Sequence, residues 1–242
     1  MNLWGETIDY LKGYAEKTDK IAVGFSGGKD SLCVLDLCSR VFKTIYCYNM
    51  EFCGGFKVDR DQMEYGKQRY GVKVIHYPHF AFITALKNGI YCNETEETEK
   101  LPDWTLRDVY DLVRQDFNVD FIAHGAKTAD GLWRRKMFNA TKTWTDIIYP
   151  IKTWTKPAVM AYMRMQKIPM PHMSVGHTTG ATGRTKNGTG IDLTDPSIWY
   201  LHDNHPEDYK KLLRWFPYAH AAVCRRDWYG AKAYNDCLDA NT

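Results

Sequence analysis

The stretch from Lys20 to Leu37, KIAVGFSGGKDSLCVLDL, runs from a short apolar segment through Ser26-Gly27-Gly28-Lys29-Asp30-Ser31 into a second apolar segment. Ile21 to Phe25 read as a buried strand and Leu32 to Cys38 as a helix, so the order is strand, glycine turn, helix. A turn in that position presents unpaired backbone N–H groups at the positive end of a helix dipole, which is an anion site. Gly27 and Gly28 let the backbone approach a phosphate closely, Lys29 adds a full charge, and Ser26 and Ser31 offer hydroxyl donors. Asp30 would repel a bare phosphate, so its place is explained either as a ligand for a phosphate-bound Mg2+ or as a cap of the first helical turn. Two other phosphate fingerprints fail on spacing. A Walker A loop needs glycine where Val23 stands and Ser or Thr where Asp30 stands, and the dinucleotide pattern fails over Gly24-Phe25-Ser26-Gly27.

Outward from this turn the same alternation continues. Val41 to Tyr48 form a second β-rich run, Asp59 to Tyr70 a polar-faced helix closed by Gly71, and Val72 to Tyr77 a third strand. Upstream lies an amphipathic helix with Leu3, Ile8 and Leu11 on one side. Downstream, the acidic, apolar-poor segment Asn93 to Lys100 reads as a solvated excursion. Trp104 to Phe117 fits a helix with Leu106, Val109, Leu112 and Val113 on one side, and Phe121 to Ala123 a short strand. Ile147 to Ile151 is a further strand, limited to an end or edge by Pro150. Thr155 is placed to cap a helix that carries Pro157 in its first turn and runs to about Gln166. The glycine- and threonine-rich run Ser174 to Gly190 predicts a mobile loop, and Pro206 to Phe216 and Ala219 to Leu238 predict helices rich in Trp and Tyr. The expected class is therefore α/β, a doubly wound parallel sheet with a helical C-terminal extension.

Composition narrows the function. A chain of 242 residues, 44% of them hydrophobic, can bury a full core. Its 32 basic residues against 29 acidic ones leave a net charge of +3, too little for binding dominated by a phosphate backbone, so nucleic acid is expected only as a locally held modification substrate. Seven cysteines without a CxxC pair argue against both a disulfide framework and a zinc ribbon. With neither a signal-peptide pattern nor a membrane-length apolar run, the chain is expected to be soluble and cytoplasmic.

The SGGKDS turn resembles the SGGxDS signature of the PP-loop ATP pyrophosphatases, the adenine nucleotide alpha hydrolase-like superfamily. The resemblance is closest to the branch that holds phosphoadenosine phosphosulfate (PAPS) reductase and the small subunit of ATP sulfurylase. Two further segments share it. Gly125-Ala126-Lys127-Thr128-Ala129-Asp130 followed by Arg134-Arg135 is similar to the branch's glycine, basic, acidic, arginine segment, and Tyr149-Pro150-Ile151-Lys152-Thr153-Trp154-Thr155 through Ile168-Pro169 to its proline and Trp-Thr stretch. The resemblance implies a Rossmann-like nucleotide-binding domain over residues 1–175. Residues 176–242 follow as a flexible loop and helical extension of the same domain.

That resemblance also implies chemistry at the α-phosphate of ATP, with Mg2+ and with pyrophosphate as leaving group; PAPS or adenylylsulfate is the alternative nucleotide. On this reading Ser26, Gly27, Gly28, Lys29, Asp30 and Ser31 hold the β- and γ-phosphates, with Asp30 near the metal, while Lys127 and Arg135 face the transferred phosphoryl group. Gly125 and Arg134 lie beside them, and Asn49 and Glu51, after the second strand, fall where relatives hold adenine and ribose. Arginine suits a tetrahedral oxyanion because its planar fork donates two parallel hydrogen bonds.

The pattern also breaks. PAPS reductases use a cysteine within Glu-Cys-Gly-x-His, and this chain has no such sequence. Its last cysteines are Cys224, expected to be a small core residue on the Ala-His-Ala-Ala-Val-Cys face although Arg225 and Arg226 could activate it, and Cys237. Ser174 to Gly183 contains no cysteine, so an iron–sulfur cluster is not expected. Two further readings remain beside ATP cleavage: an adenylylsulfate or PAPS reductase partnered by thioredoxin, and a non-catalytic nucleotide-binding module. The aromatic C-terminal extension is expected to cover the site, a second copy of the chain or another protein. The acceptor of the adenylyl group is left open.

Overall fold

In the computed structural model, described over residues 3–140, 144–171 and 191–230, the chain forms five strands and eleven α-helices among those residues. The strands are β1 (Lys20–Gly24), β2 (Thr44–Glu51), β3 (Val74–Pro78), β4 (Ile122–Ala123) and β5 (Ile147–Ile148). The helices are α1 (Leu3–Ala15), α2 (Lys29–Ser39), α3 (Lys57–Tyr70), α4 (Phe80–Lys87), α5 (Glu96–Glu99) and α6 (Leu106–Phe117). Then follow α7 (Leu132–Asn139), α8 (Lys156–Met165), α9 (Asp195–Asn204), α10 (Pro206–Trp215) and α11 (His220–Tyr229).

The sheet order is β3-β2-β1-β4-β5. β1 pairs in parallel with β2, Lys20 opposite Thr44 and Gly24 opposite Tyr48, and on its other side with β4, Val23 opposite Ala123. β4 in turn pairs in parallel with β5. The central residues Ile21, Ala22 and Val23 are fully buried, as a strand covered on both faces requires. The order reverses direction between β1 and β4. In open α/β sheets that reversal leaves a crevice beyond the carboxyl ends of the two strands, where ligands bind.

The chain packs as two compact units. The first holds the described residues of 1–49, 62–77 and 110–171, and its core joins Ile21, Val23 and Phe25 of the sheet to Leu32, Val34, Leu35 and Leu37 of α2 and to Trp154, Val159, Tyr162 and Met163. α2 is buried almost all round, and the carboxylate it carries inside is fully engaged: Asp36 accepts from Tyr162 Oη at 2.6 Å, Tyr70 Oη at 2.8 Å and Arg40 Nε at 2.9 Å. Those bonds hold α3 and α8 to α2. Thr155 caps α8 by accepting from the Ala158 N–H, and Gly71 closes α3 with φ +64°.

The second unit holds the described residues of 50–61, 78–109 and 172–242. Its core is built from Phe52, Phe56, Ile198, Trp199, Leu201, Leu212 and Phe216. Asp208, buried on α10, accepts the Val58 N–H at 2.9 Å and the Lys211 ammonium at 2.9 Å. Trp215, Tyr218, Trp228 and Tyr229 are exposed. The expected loop at 174–190 and the end of the helix expected to reach Leu238, with Cys237, lie outside the described residues. No helix among the described residues is long and apolar enough to cross a membrane.

Some boundaries move for local reasons. β2 begins at Thr44 rather than Val41, because the Val41 and Phe42 N–H groups both donate to Cys38 O, at 3.0 and 2.9 Å, and so finish α2. β5 stops at Ile148, ahead of Pro150, which has no N–H to give a ladder. The solvated excursion is a short exposed turn of helix, α5, capped by Thr95. Helices α4, α7 and α9 are additions to the expected pattern.

Candidate functional site

The turn after β1 leaves the carboxyl end of β1 beside β4, where the sheet order reverses. Gly27 has φ +72°, a left-handed conformation suited to glycine, and Gly28 is the extended N-cap of α2. The Gly28 carbonyl accepts the Leu32 N–H at 2.9 Å and the Ser31 hydroxyl at 2.9 Å. Ser31 is thus spent on holding the turn, with its Oγ 3.4 Å from Ser26 Oγ. The Phe25 N–H donates to Tyr48 O at 2.7 Å, fixing where the turn leaves the sheet.

The segment after β4 supplies the facing wall. Lys127 is 1% exposed, so the cation expected in a basic run is in fact a core residue, whereas Arg134, Arg135 and Lys136 on α7 are exposed. Its ammonium lies 2.8 Å from Asp30 Oδ1 and 2.8 Å from Asp130 Oδ1, while the other Asp130 oxygen accepts the Lys127 N–H at 2.8 Å. Asp30 Oδ2 is 2.9 Å from the Lys29 ammonium. One carboxylate therefore bridges two lysines from separate segments of the chain. Lys127 Nζ and Asp30 Oδ1 are enclosed yet make no well-directed hydrogen bond, so they meet as charges and not as an aligned donor and acceptor. Gly125 allows the approach: a Cβ there would sit 3.1 Å from the Asp30 backbone carbon and 3.1 Å from its Cβ.

Between the two segments stands His124. Its Nε2 is 2.7 Å from the Tyr48 hydroxyl, and its ring lies over Gly24, where a Cβ would come within 2.6 Å of His124 Cε1. Burial first, and the Arg134 guanidinium second, lower its pKa from 6.5 to about 4, so the imidazole is neutral at physiological pH. Tyr110 and Tyr149 flank it, with ring centroids at 5.1 and 6.4 Å.

Of the residues expected from the sequence, Ser26 to Ser31, Gly125 and Lys127 form one cluster. Arg134 lies close enough to His124, Tyr110 and Tyr149 to influence their protonation, and Arg135, exposed on the same helix, donates its backbone N–H to Gly131 O. Asn49 is buried in β2 of the first unit. Glu51, in the second unit, accepts the Gly55 N–H at 2.9 Å and lies 3.3 Å from Arg60 Nε. Sequence reading missed His124 and Tyr48, and gave Asp130 no role. The signal available for His124 was its place between a strand and a glycine, opposite Gly24 on the neighbouring strand.

Cys224 corrects an expectation. Ala222 and Val223 are buried, but Cys224 is exposed, because the core stripe of α11 passes through those two neighbours. The adjacent arginines are engaged elsewhere, Arg225 with Asp195 and Tyr91, and Arg226 with Asp203 and Asp227.

Asp30 is the acidic side chain of the glycine turn, and its Oδ1 is enclosed beside the Lys127 ammonium. Mg2+ keeps several waters and takes one or two protein carboxylates together with phosphate oxygens, a donor set that a single carboxylate such as Asp30, whose Oδ1 has an ion-pair partner but no directed hydrogen bond, would fit. Among the described residues no group of three or more His, Cys, Asp or Glu forms a ready-made metal cage.

No family model and no curated protein matches the chain. Among solved structures it is similar to the NH3-dependent NAD synthetase of Campylobacter jejuni in complex with nitrate. That likeness has a TM-score of 0.48 and 13% identity over 95% of this chain and 97% of that one. It is also similar to the phosphoadenylyl-sulfate (PAPS) reductase of Candida auris in a phosphate complex, with a TM-score of 0.44 and 16% identity over 69% of this chain and 82% of that one. Likenesses this distant leave the functional reading to rest on the chain's own residues.

Proposed function

We propose that the chain is an enzyme that binds an adenine nucleotide at the turn 26–31 and acts at its α-phosphate, converting ATP to pyrophosphate and AMP or an adenylylated acceptor. The observation that carries the proposal is the convergence of Lys29, the α2 N-terminus and buried Lys127 on one point at the sheet's reversal. Adenine and the α-phosphate enter through the resemblance of SGGKDS to the PP-loop signature. On this reading the Gly27 and Gly28 amides and Lys29 take the β- and γ-phosphates, so charge developing on the departing pyrophosphate meets fixed donors. Lys127, with Arg134 and Arg135 of α7, serves the α-phosphate. Bound Mg2+, held by Asp30, would neutralise charge across the phosphates.

The test uses ATP labelled at the α-phosphate. Label should appear in AMP or an adenylylated product together with pyrophosphate, and pyrophosphate–ATP exchange in cell extract covers the unknown acceptor. Lys29→Ala should weaken nucleotide binding by about 1.5–3 kcal/mol in calorimetry, the range for hydrogen bonds to charged groups. Release of ADP and orthophosphate, lost in the same variant, would overturn the proposed bond while keeping the site. The exposed Cys224 thiol supports one other reading, thioredoxin-dependent reduction of an adenylyl sulfate. There, Cys224→Ser would abolish sulfite release.

A further inference from the structure

Lys29, Lys127, Asp30 and Asp130 make a cluster whose charges cancel, although the turn and helix end around it are built to attract an anion. Both lysines that would meet phosphate already share the Asp30 carboxylate, one at each oxygen, at 2.9 and 2.8 Å. Lys127 is buried, with the Asp130 carboxylate on its other side and Gly125 packed on the Asp30 backbone, so without another partner for Asp30 its ammonium is not offered to an incoming anion. A metal-free polyphosphate entering here would meet a carboxylate and two neutralised lysines. A polyphosphate arriving with a divalent cation gives the carboxylate a different partner, and both ammonium groups are then open to phosphate oxygens. The enclosed Asp30 Oδ1 and Lys127 Nζ, each without a directed hydrogen bond, are the atoms such an exchange would satisfy.

Resting on the nucleotide reading above, we infer that Asp30 is a specificity residue: its carboxylate occupies Lys29 and Lys127 and so makes the site select metal-bound over metal-free polyphosphate. The role differs from simple metal ligation because it assigns Asp30 a cost to binding when no metal is present. Removing its charge should therefore improve metal-free binding.

Calorimetry with inorganic pyrophosphate, in EDTA and in Mg2+, reads this without turnover. Wild-type protein should bind about tenfold more tightly in Mg2+ than in EDTA. Asp30→Asn should bind metal-free pyrophosphate about fivefold more tightly than wild type and gain less than about twofold from Mg2+. Circular dichroism confirms that the variant is folded, and Asp30→Ser replaces it if it is not. A folded variant that binds metal-free pyrophosphate no better than wild type overturns the inference, even if it has lost the Mg2+ effect. No binding of pyrophosphate or ATP by wild type or variant under either condition would instead sink the nucleotide reading and this inference with it.

Discussion

A single histidine shows how closely the ends of β1 and β4 are fitted. His124 is accommodated because Gly24, its neighbour across the β1–β4 pair, has no side chain, and its Nε2 finds the Tyr48 hydroxyl. Enclosed with Arg134 nearby, the ring protonates only near pH 4, against 6.5 in the unfolded chain. The folded pKa is depressed, so between those values the unfolded state binds more protons than the folded state. His124's contribution to stability is therefore complete above about pH 6.5 and is lost as pH falls toward 4. Urea unfolding of wild type and His124→Asn at pH 7, 5.5 and 4.5 checks this. The wild-type curve should fall more steeply with acid than the variant's, and parallel curves would show that the histidine does not titrate with folding.

At the scale of elements, the sequence announced β1, α2 and the turn between them because three independent signals coincide there: a buried β run, paired glycines and an apolar helix. The capping of α8 by Thr155 was equally legible, since Pro157 two residues on admits little else. Other features left weaker marks. α7 carries Leu132, Trp133, Arg134, Arg135 and Lys136 all exposed, so it lacks the apolar stripe that identifies a helix, and only Phe138 anchors it. β4 and β5 are two residues each, too short for alternation to show. The Lys127 pairing was hidden because it joins residues 30 and 127, which no local period relates.

Close packing also reverses a propensity rule in α3. Gly66 lies mid-helix, where alanine ordinarily gains about 1 kcal/mol. A Cβ there would fall 2.3 Å from Phe25 Cζ and within 3.2 Å of two more ring atoms, and Phe25 is buried directly ahead of the glycine turn. Gly66→Ala is thus expected to destabilise the protein by about 1–3 kcal/mol, the cost of overpacking. An unchanged or higher denaturation midpoint would mean that the Phe25 ring yields freely.

For the whole molecule, the proposed ligand contacts to Lys29, Lys127 and the turn amides all fall within the first unit, which owns β1, α2, β4 and the segment after it. A ligand that binds only the folded state stabilises it by RT ln(1 + [L]/Kd), about 2.7 kcal/mol at a hundredfold excess over Kd. That energy appears as slowed amide exchange wherever local opening would break the ligand's contacts. With saturating Mg-ATP, protection should therefore rise first over residues 25–33 and 124–130, including the Gly27 and Gly28 amides, which the α2 ladder leaves without a helical partner. Helices α10 and α11, in the second unit, carry none of the phosphate-directed residues and serve as the internal reference. Hydrogen–deuterium exchange followed by mass spectrometry of peptides spanning these segments makes the comparison within one sample. The Lys29→Ala variant should show the same exchange pattern as wild type without nucleotide and a smaller gain with it. Protection gained over α10 and α11 alone, with the glycine turn unchanged, would place the nucleotide elsewhere in the chain and remove the basis for assigning chemistry to Lys29 and Lys127.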